Sequence, residues 1–263
     1  MFELIETSPP VDVQESEYRR LLGYPKKHEL AGRARELADA ARKWFSENGR
    51  PWIYAREVNT LEFPDEKLRL GGTEFSSRRL REVFSEAAAH GAMLVAVSAG
   101  RECEEHARKL WEEGKPDEYF FLETFGSGVV EHLVTVASER ICGWADQNNM
   151  AALPHFSPGF SGWDIAEQIP LWNLFRQNSN GGFPGALDVL ESGMLRPKKS
   201  LLTVFGLTRD LAKARRFAKL IPCENCALPN CRYRRAAYQR SRPPIENVQR
   251  EPIEAEGRNP MAE

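Results

Sequence analysis

His155-Phe156-Ser157-Pro158-Gly159-Phe160-Ser161-Gly162-Trp163-Asp164 is the stretch on which the reading of this chain turns. It is at once glycine-rich, aromatic and polar. Pro158-Gly159 reads as the centre of a type II turn. Proline presets φ at the first central position, and glycine takes positive φ at the second without steric cost. Gly162 adds a second place where the backbone can bend or admit a ligand. Ser161 and Asp164 have the spacing of a helix start, with a carboxylate near the positive end of the dipole. Trp163, Ile165, Leu171, Trp172, Leu174 and Phe175 then supply an apolar face. A turn that shows its backbone and ends on a rigid helix suits a small polar ligand. The plainer alternative is a tight loop with a capped helix.

Upstream, Glu17-Tyr18-Arg19-Arg20-Leu21-Leu22-Gly23-Tyr24-Pro25 predicts a short helix stopped by Gly23. Residues 33–47 are amphipathic, with Ala34, Leu37, Ala38, Ala41, Trp44 and Phe45 on one face. A strand is expected over 52–58. Gly71-Gly72 marks a turn, and Ser76-Ser77 caps a helix carrying Leu80, Val83, Phe84, Ala87 and Ala88, closed by Gly91. Met93–Ser98 fits a strand covered on both faces. A helix with Cys103, Ala107, Leu110 and Trp111 inward follows. A long helix is expected to start near Glu123 and to bury Val130, Leu133, Val136, Ala137 and Ile141. Gly126 and Gly128 each cost that helix about 1 kcal/mol relative to alanine, a cost that close backbone packing or ligand approach would justify. Downstream, Asn178–Gly182 reads as a flexible loop, Leu187–Leu190 as a strand, Met194–Ser200 as a basic turn and Leu201–Leu207 as a strand. Residues 1–238 are expected to form one domain. Residues 239–263 lose apolar periodicity and read as a disordered tail.

Composition narrows the classes of function. The formal net charge is −2 over 263 residues, so no global basic field points to nucleic acid. No stretch is long and apolar enough to span a bilayer, and Met1–Glu6 lacks a signal-peptide pattern. Five cysteines in a chain this long are no disulfide scaffold, which predicts a cytoplasmic protein with reduced thiols. Walker and dinucleotide loops, His-Glu-x-x-His and the Gly-x-Ser-x-Gly elbow are all missing from the sequence. His28, His90, His106 and His132 read as surface or helix-face residues.

Two further constellations accompany the turn. Glu131 lies beside the apolar stripe one turn past Gly128, where a carboxylate accepts hydrogen bonds from a ligand amine or ribose, or else pairs with an arginine. Cys223, Cys226 and Cys231 form a Cys-x-x-Cys-x4-Cys cluster, a spacing compatible with Zn²⁺, an iron–sulfur cluster or a redox pair. Arg232, Arg234 and Arg235 would favour thiolates there. A fourth metal ligand would come from Cys103, Cys142, a histidine or a substrate.

Taken in order, Ser157-Pro158-Gly159-Phe160 with Trp163 and Gln168, then Met194–Ser200, then the cysteine cluster with Arg234, resemble the activation-domain family of cobalamin-dependent methionine synthase. The match is best to its free-standing members and spans roughly residues 15–235. The resemblance implies an α+β fold with a curved, largely antiparallel sheet and flanking helices. It implies S-adenosylmethionine as a ligand, held by Glu131, His155, Ser157, Gly159 and Phe160. It also implies a corrinoid on a partner protein and, with it, an electron-donor protein. In the family the turn reads Arg-Pro-x-Pro-Gly-Tyr, and its Arg and Tyr help hold S-adenosylmethionine. Here His155 and Phe160 occupy those positions. Weak binding is therefore expected, tightening as pH falls and His155 gains a proton.

Three functions follow. One is a component of cobalamin-dependent methionine synthase or another corrinoid methyltransferase, acting in reductive reactivation or methyl transfer. Another is a metal- or cluster-binding redox accessory protein using Cys223, Cys226 and Cys231. The last is a non-catalytic scaffold of the same fold.

Overall fold

The computed structural model describes residues 2–25, 27–177 and 182–217. The cysteine cluster and the expected tail lie outside them. In chain order the elements are β1 (Glu3–Glu6), α1 (Glu15–Leu21), α2 (Gly32–Asn48), β2 (Trp52–Val58), β3 (Leu61–Glu62), β4 (Leu68–Leu70) and β5 (Thr73–Phe75). There follow α3 (Arg78–Glu86), β6 (Ala89–Ser98), α4 (Arg101–Glu112), α5 (Pro116–Gln147) and β7 (Ala151–Ala152). After a 3-10 turn at Ile165–Glu167 come α6 (Gln168–Gln177), β8 (Asp188–Val189), β9 (Leu195–Arg196), β10 (Ser200–Thr208) and α7 (Leu211–Phe217).

The principal sheet is curled and antiparallel, in the order β1-β2-β6-β10-β7. Its centre is β6, a run so apolar that only a strand covered on both faces satisfies it. Side chains alternate across a strand, so one sequence feeds two cores. Ile53, Ala55, Met93, Val95, Val97, Phe205 and Leu207 face the helices α1, α2, α4 and α5. Tyr54, Leu94, Ala96, Leu202 and Val204 face α3, α6 and the small β3-β4-β5 sheet.

The α5 helix, 32 residues and thus roughly 48 Å long, is the backbone of the first core. Its glycines are close-packing positions. A Cβ on Gly126 would lie 3.0 Å from Cys103 Sγ and 3.2 Å from Lys199 Cγ; on Gly128 it would lie 2.9 Å from Val13 Cγ1. Tyr18 crosses from α1 to donate its buried hydroxyl to the Phe121 carbonyl at 2.8 Å.

Several boundaries differ from the sequence reading. The long helix begins at Pro116, because proline at the first helical position needs no donor. Gly91 does not close α3. Ala88 does, at φ 50°, while Gly91 sits inside β6, where a Cβ would lie 2.9 Å from the Val58 carbonyl oxygen. Trp111 is 62% exposed rather than inward, lying on the rim of α4 against Tyr119. Ile165 is 43% exposed, whereas Trp163, Leu171, Trp172, Leu174 and Phe175 are buried as expected. Most of the expected loop at 178–182 lies outside the described residues.

Gly128→Val should overpack the α1–α5 contact at Val13 and Leu21. Urea unfolding should show a loss of about 1–3 kcal/mol. A variant as stable as wild type would mean that the Val13 segment yields freely.

Candidate functional site

The glycine-aromatic segment begins where the chain leaves the sheet. After β7, Leu153 N–H donates to the Gly206 carbonyl at 2.8 Å. Phe156 and Val204 then exchange reciprocal backbone hydrogen bonds at 2.9 and 2.8 Å. Past Phe156 the outer edge of β10 has no strand partner among the described residues. By antiparallel alternation, the main-chain groups of Leu202 point to that side.

The turn itself has the expected form. Phe160 N–H donates to the Ser157 carbonyl at 3.0 Å, and Gly159 has φ 91°. The loop closes through Trp163 N–H to the Phe160 carbonyl and Gly159 N–H to the Trp163 carbonyl, both at 2.9 Å. It is clamped from three sides. Thr203 Oγ1 donates to the Phe156 carbonyl at 2.8 Å. Ser77 caps α3 and donates to the Gly162 carbonyl at 2.9 Å. Glu167 accepts from the Trp163 indole at 2.6 Å and from Ser76 N–H at 2.8 Å. The helix start expected at Ser161 falls to Asp164, whose carboxylate accepts from Ala166 N–H at 2.8 Å. Ser161 stays exposed because Gly162, at φ 84°, reverses the chain after it.

His155 lies on the α5 side of the sheet. Its ring packs against Phe160 and Phe205, with centroids 5.8 and 5.5 Å away, and it makes no hydrogen bond to a described residue. Burial alone pushes its pKa down to about 4. It is therefore a neutral imidazole at pH 7, and the expectation of a proton gained just below neutrality does not hold. Ser157 is fully buried, and its hydroxyl has no partner among the described residues.

Glu131 takes the arginine-paired alternative. It lies 3.2 Å from Arg20, whose guanidinium is also held by Glu17 at 2.6 Å. This pair ties α5 to α1.

One polar group escaped the sequence reading. Lys199 Nζ reaches across bare Gly126 to Ser127 Oγ at 2.9 Å and Glu123 at 3.3 Å, and Lys198 meets Glu123 at 3.1 Å. Alternation along β10 puts Lys199 and Phe205 on the same face, six residues or about 20 Å apart. The sequence signal was Gly126 itself, a gap in a helix that a lysine stem fills.

Among the described residues no group of three or more His, Cys, Asp or Glu could hold a metal. Cys103 is fully buried with its thiol pushed up to about 12, and burial also raises the thiol pKa of Cys142. Cys223, Cys226 and Cys231 fall outside the described residues. No described helix is long and apolar enough to cross a membrane.

No protein-family model matches the chain, and no curated protein matches it. Its structure is similar to the crystal structure of the MetH reactivation domain bound to AdoHcy, with a TM-score of 0.57. That likeness covers 80% of this chain and 79% of the other at 12% sequence identity. The fold is reactivation-domain-like. At that identity the likeness concerns architecture, and the expected α+β class with a curved antiparallel sheet is borne out.

The half-buried His155 imidazole gives a signed pH test. With a folded pKa near 4 against the usual 6.5, the unfolded chain binds more protons between those values. Stability contributed by neutral His155 is complete above pH 6.5 and is lost as pH falls toward 4. Relative to His155→Phe, wild type should lose up to about 3 kcal/mol across that window in urea titrations. A constant difference between the two proteins would show an imidazole that titrates normally.

Proposed function

We propose that this chain is a free-standing activation-domain-like protein that binds S-adenosylmethionine or a related ligand at the His155–Phe160 turn. It would act with a corrinoid-carrying partner in a methyltransferase system, in reductive reactivation or methyl transfer, with an electron donor where reduction is needed. The observation that carries the reading is the clamped type II turn at the open edge of β10, within a fold similar to one crystallised with AdoHcy. The corrinoid partner rests on the family resemblance of the sequence motifs.

The chemistry available there is modest. His155 would give a ligand carboxylate one neutral hydrogen bond where arginine gives two charged ones. Phe160 keeps a ring for packing and lacks a hydroxyl. Gly159 and the main chain of the turn would let a ligand approach closely. Glu131 would offer a ligand amine or ribose the acceptor sites that Arg20 leaves open. Losing a charged hydrogen bond costs about 1.5–3 kcal/mol, or one to two orders of magnitude in affinity.

Calorimetric titration with S-adenosylmethionine and AdoHcy tests this. Wild type should bind weakly, with affinity flat between about pH 8 and about pH 6, because His155 stays neutral there. The double variant His155→Arg/Phe160→Tyr should bind roughly tenfold or more tightly, and Gly159→Val should not bind. The proposal fails if neither wild type nor the double variant binds either ligand.

The metal-accessory reading keeps its sequence observation, three clustered cysteines. Elemental analysis and optical spectra after anaerobic purification should show one metal centre per chain, lost in Cys223→Ser/Cys226→Ser. Three freely titrating thiols in native, metal-free protein would sink that reading.

A further inference from the structure

Four large apolar side chains stand in water together beside the turn. Ile165 and Ile169 are both exposed, one helical turn apart where the 3-10 turn runs into α6. α6 packs against β8, and the β8–β9 hairpin adds exposed Leu190 and Met194, the latter at 58% exposure. Leu190 N–H donates to the Met194 carbonyl at 2.8 Å, and Gly193 N–H donates to the Leu190 carbonyl at 2.8 Å, so the hairpin end is well held. A Cβ on Gly193 would lie 2.6 Å from the Ile165 carbonyl oxygen, which brings that end against the 3-10 turn. The patch also abuts the turn itself. Ile165 Cδ1 lies 3.1 Å from the Cβ position of Gly159.

Carboxylates flank the patch. Asp164, Glu167, Asp188 and Glu191 are its neighbours in the chain, and none of the four has an ion-pair partner among the described residues. Arg196 opposes them from the register position facing Asp188. A surface that is apolar in the middle and negative at the rim suits an occupant with apolar anchors set among cations.

The chain itself carries such a segment. Arg232-Tyr233-Arg234-Arg235-Ala236-Ala237-Tyr238 has three arginines, two tyrosines and no carboxylate. Phe217, the last described residue, packs on the same core as Leu187 and Val189, so the chain leaves the fold on the patch's side of the sheet. Arg232 comes 15 residues later, a length that spans up to about 50 Å when extended. A segment tethered this closely meets the patch at high effective concentration, so weak contacts suffice.

We propose that Arg232–Tyr238 docks on this patch within the same chain. Its tyrosines cover Ile165, Ile169, Leu190 and Met194, and its arginines meet the carboxylates at the rim. The docked segment lies beside the 156–163 turn, and the contact does not depend on what the turn binds.

Photo-cross-linking of the full chain, with p-benzoylphenylalanine in place of Tyr238, tests the contact. Irradiation should give a cross-link within one chain, mapped by mass spectrometry to residues 164–169 or 188–194. Arg234→Glu/Arg235→Glu should cut its yield about fivefold, and adding Asp188→Arg/Glu191→Arg should restore it. Asp188 and Glu191 are exposed, so the fold should survive their exchange. No cross-link, cross-links confined to other surfaces, or a yield indifferent to the charge reversal would overturn the proposal. So would a product joining two chains, which would give the patch to a second copy.

Discussion

The antiparallel pairing of β6 with β10, buried on both faces, is the constraint from which the rest of the architecture descends. Nine register pairs join the two strands, from Ser200↔Ser98 to Thr208↔Ala89. Each strand presents alternate residues to opposite cores, so neither face can be left to water. One face needs a long helix, and α5 supplies it with a buried stripe from Phe121 to Ala145. The other is closed by α3, α6 and the β3-β4-β5 sheet. With β6 in the centre, β2 and β1 extend the sheet on one side, and on the other the chain pairs with the outer edge of β10 at Ala151, Ala152 and Phe156 before turning away. The candidate site lies where that cover ends.

Burial also decides the character of the polar groups near that edge. His155 sits between two phenylalanine rings, where an imidazolium would lose its hydration without gaining a partner, so it remains neutral. Lys199 is treated differently. Its stem crosses bare Gly126, and its ammonium meets the Glu123 carboxylate and the Ser127 hydroxyl, so its charge is compensated on arrival. The two basic groups differ in what surrounds them: Lys199 meets a carboxylate and a hydroxyl, and His155 meets two aromatic rings.

Much of the fold was legible because the signals were local. The apolar run at 93–98, the amphipathic period of 33–47, the Ser77 cap and the Pro158-Gly159 turn each state their structure within a few residues. The errors share a cause in tertiary contact. Gly91 looked like a helix stop, yet it is bare because the Val58 carbonyl lies against it in the neighbouring strand. Trp111 looked buried by period, but no described element covers that side of α4 enough to hide it. The site was legible in outline through its turn. An arginine partner for Glu131 was foreseen, but its identity as Arg20 and the Lys199–Ser127 contact were not, since the partners are 111 and 72 residues apart.

The turn's rigidity and the neutrality of His155 bear on each other. Thr203 and Ser77 hold the Phe156 and Gly162 carbonyls, and Glu167 holds the Trp163 indole and ties it to Ser76, so the main chain of 156–163 is positioned before any ligand arrives. Preorganised groups spend little binding energy on ordering, which favours affinity. The same clamp holds Phe160, and with Phe205 it encloses the imidazole, which removes the charge that a carboxylate ligand would use. The proposed site would take its selectivity from shape and main-chain hydrogen bonds rather than from ion pairing. It would therefore separate ligands by their bulk around the turn more sharply than by their net charge.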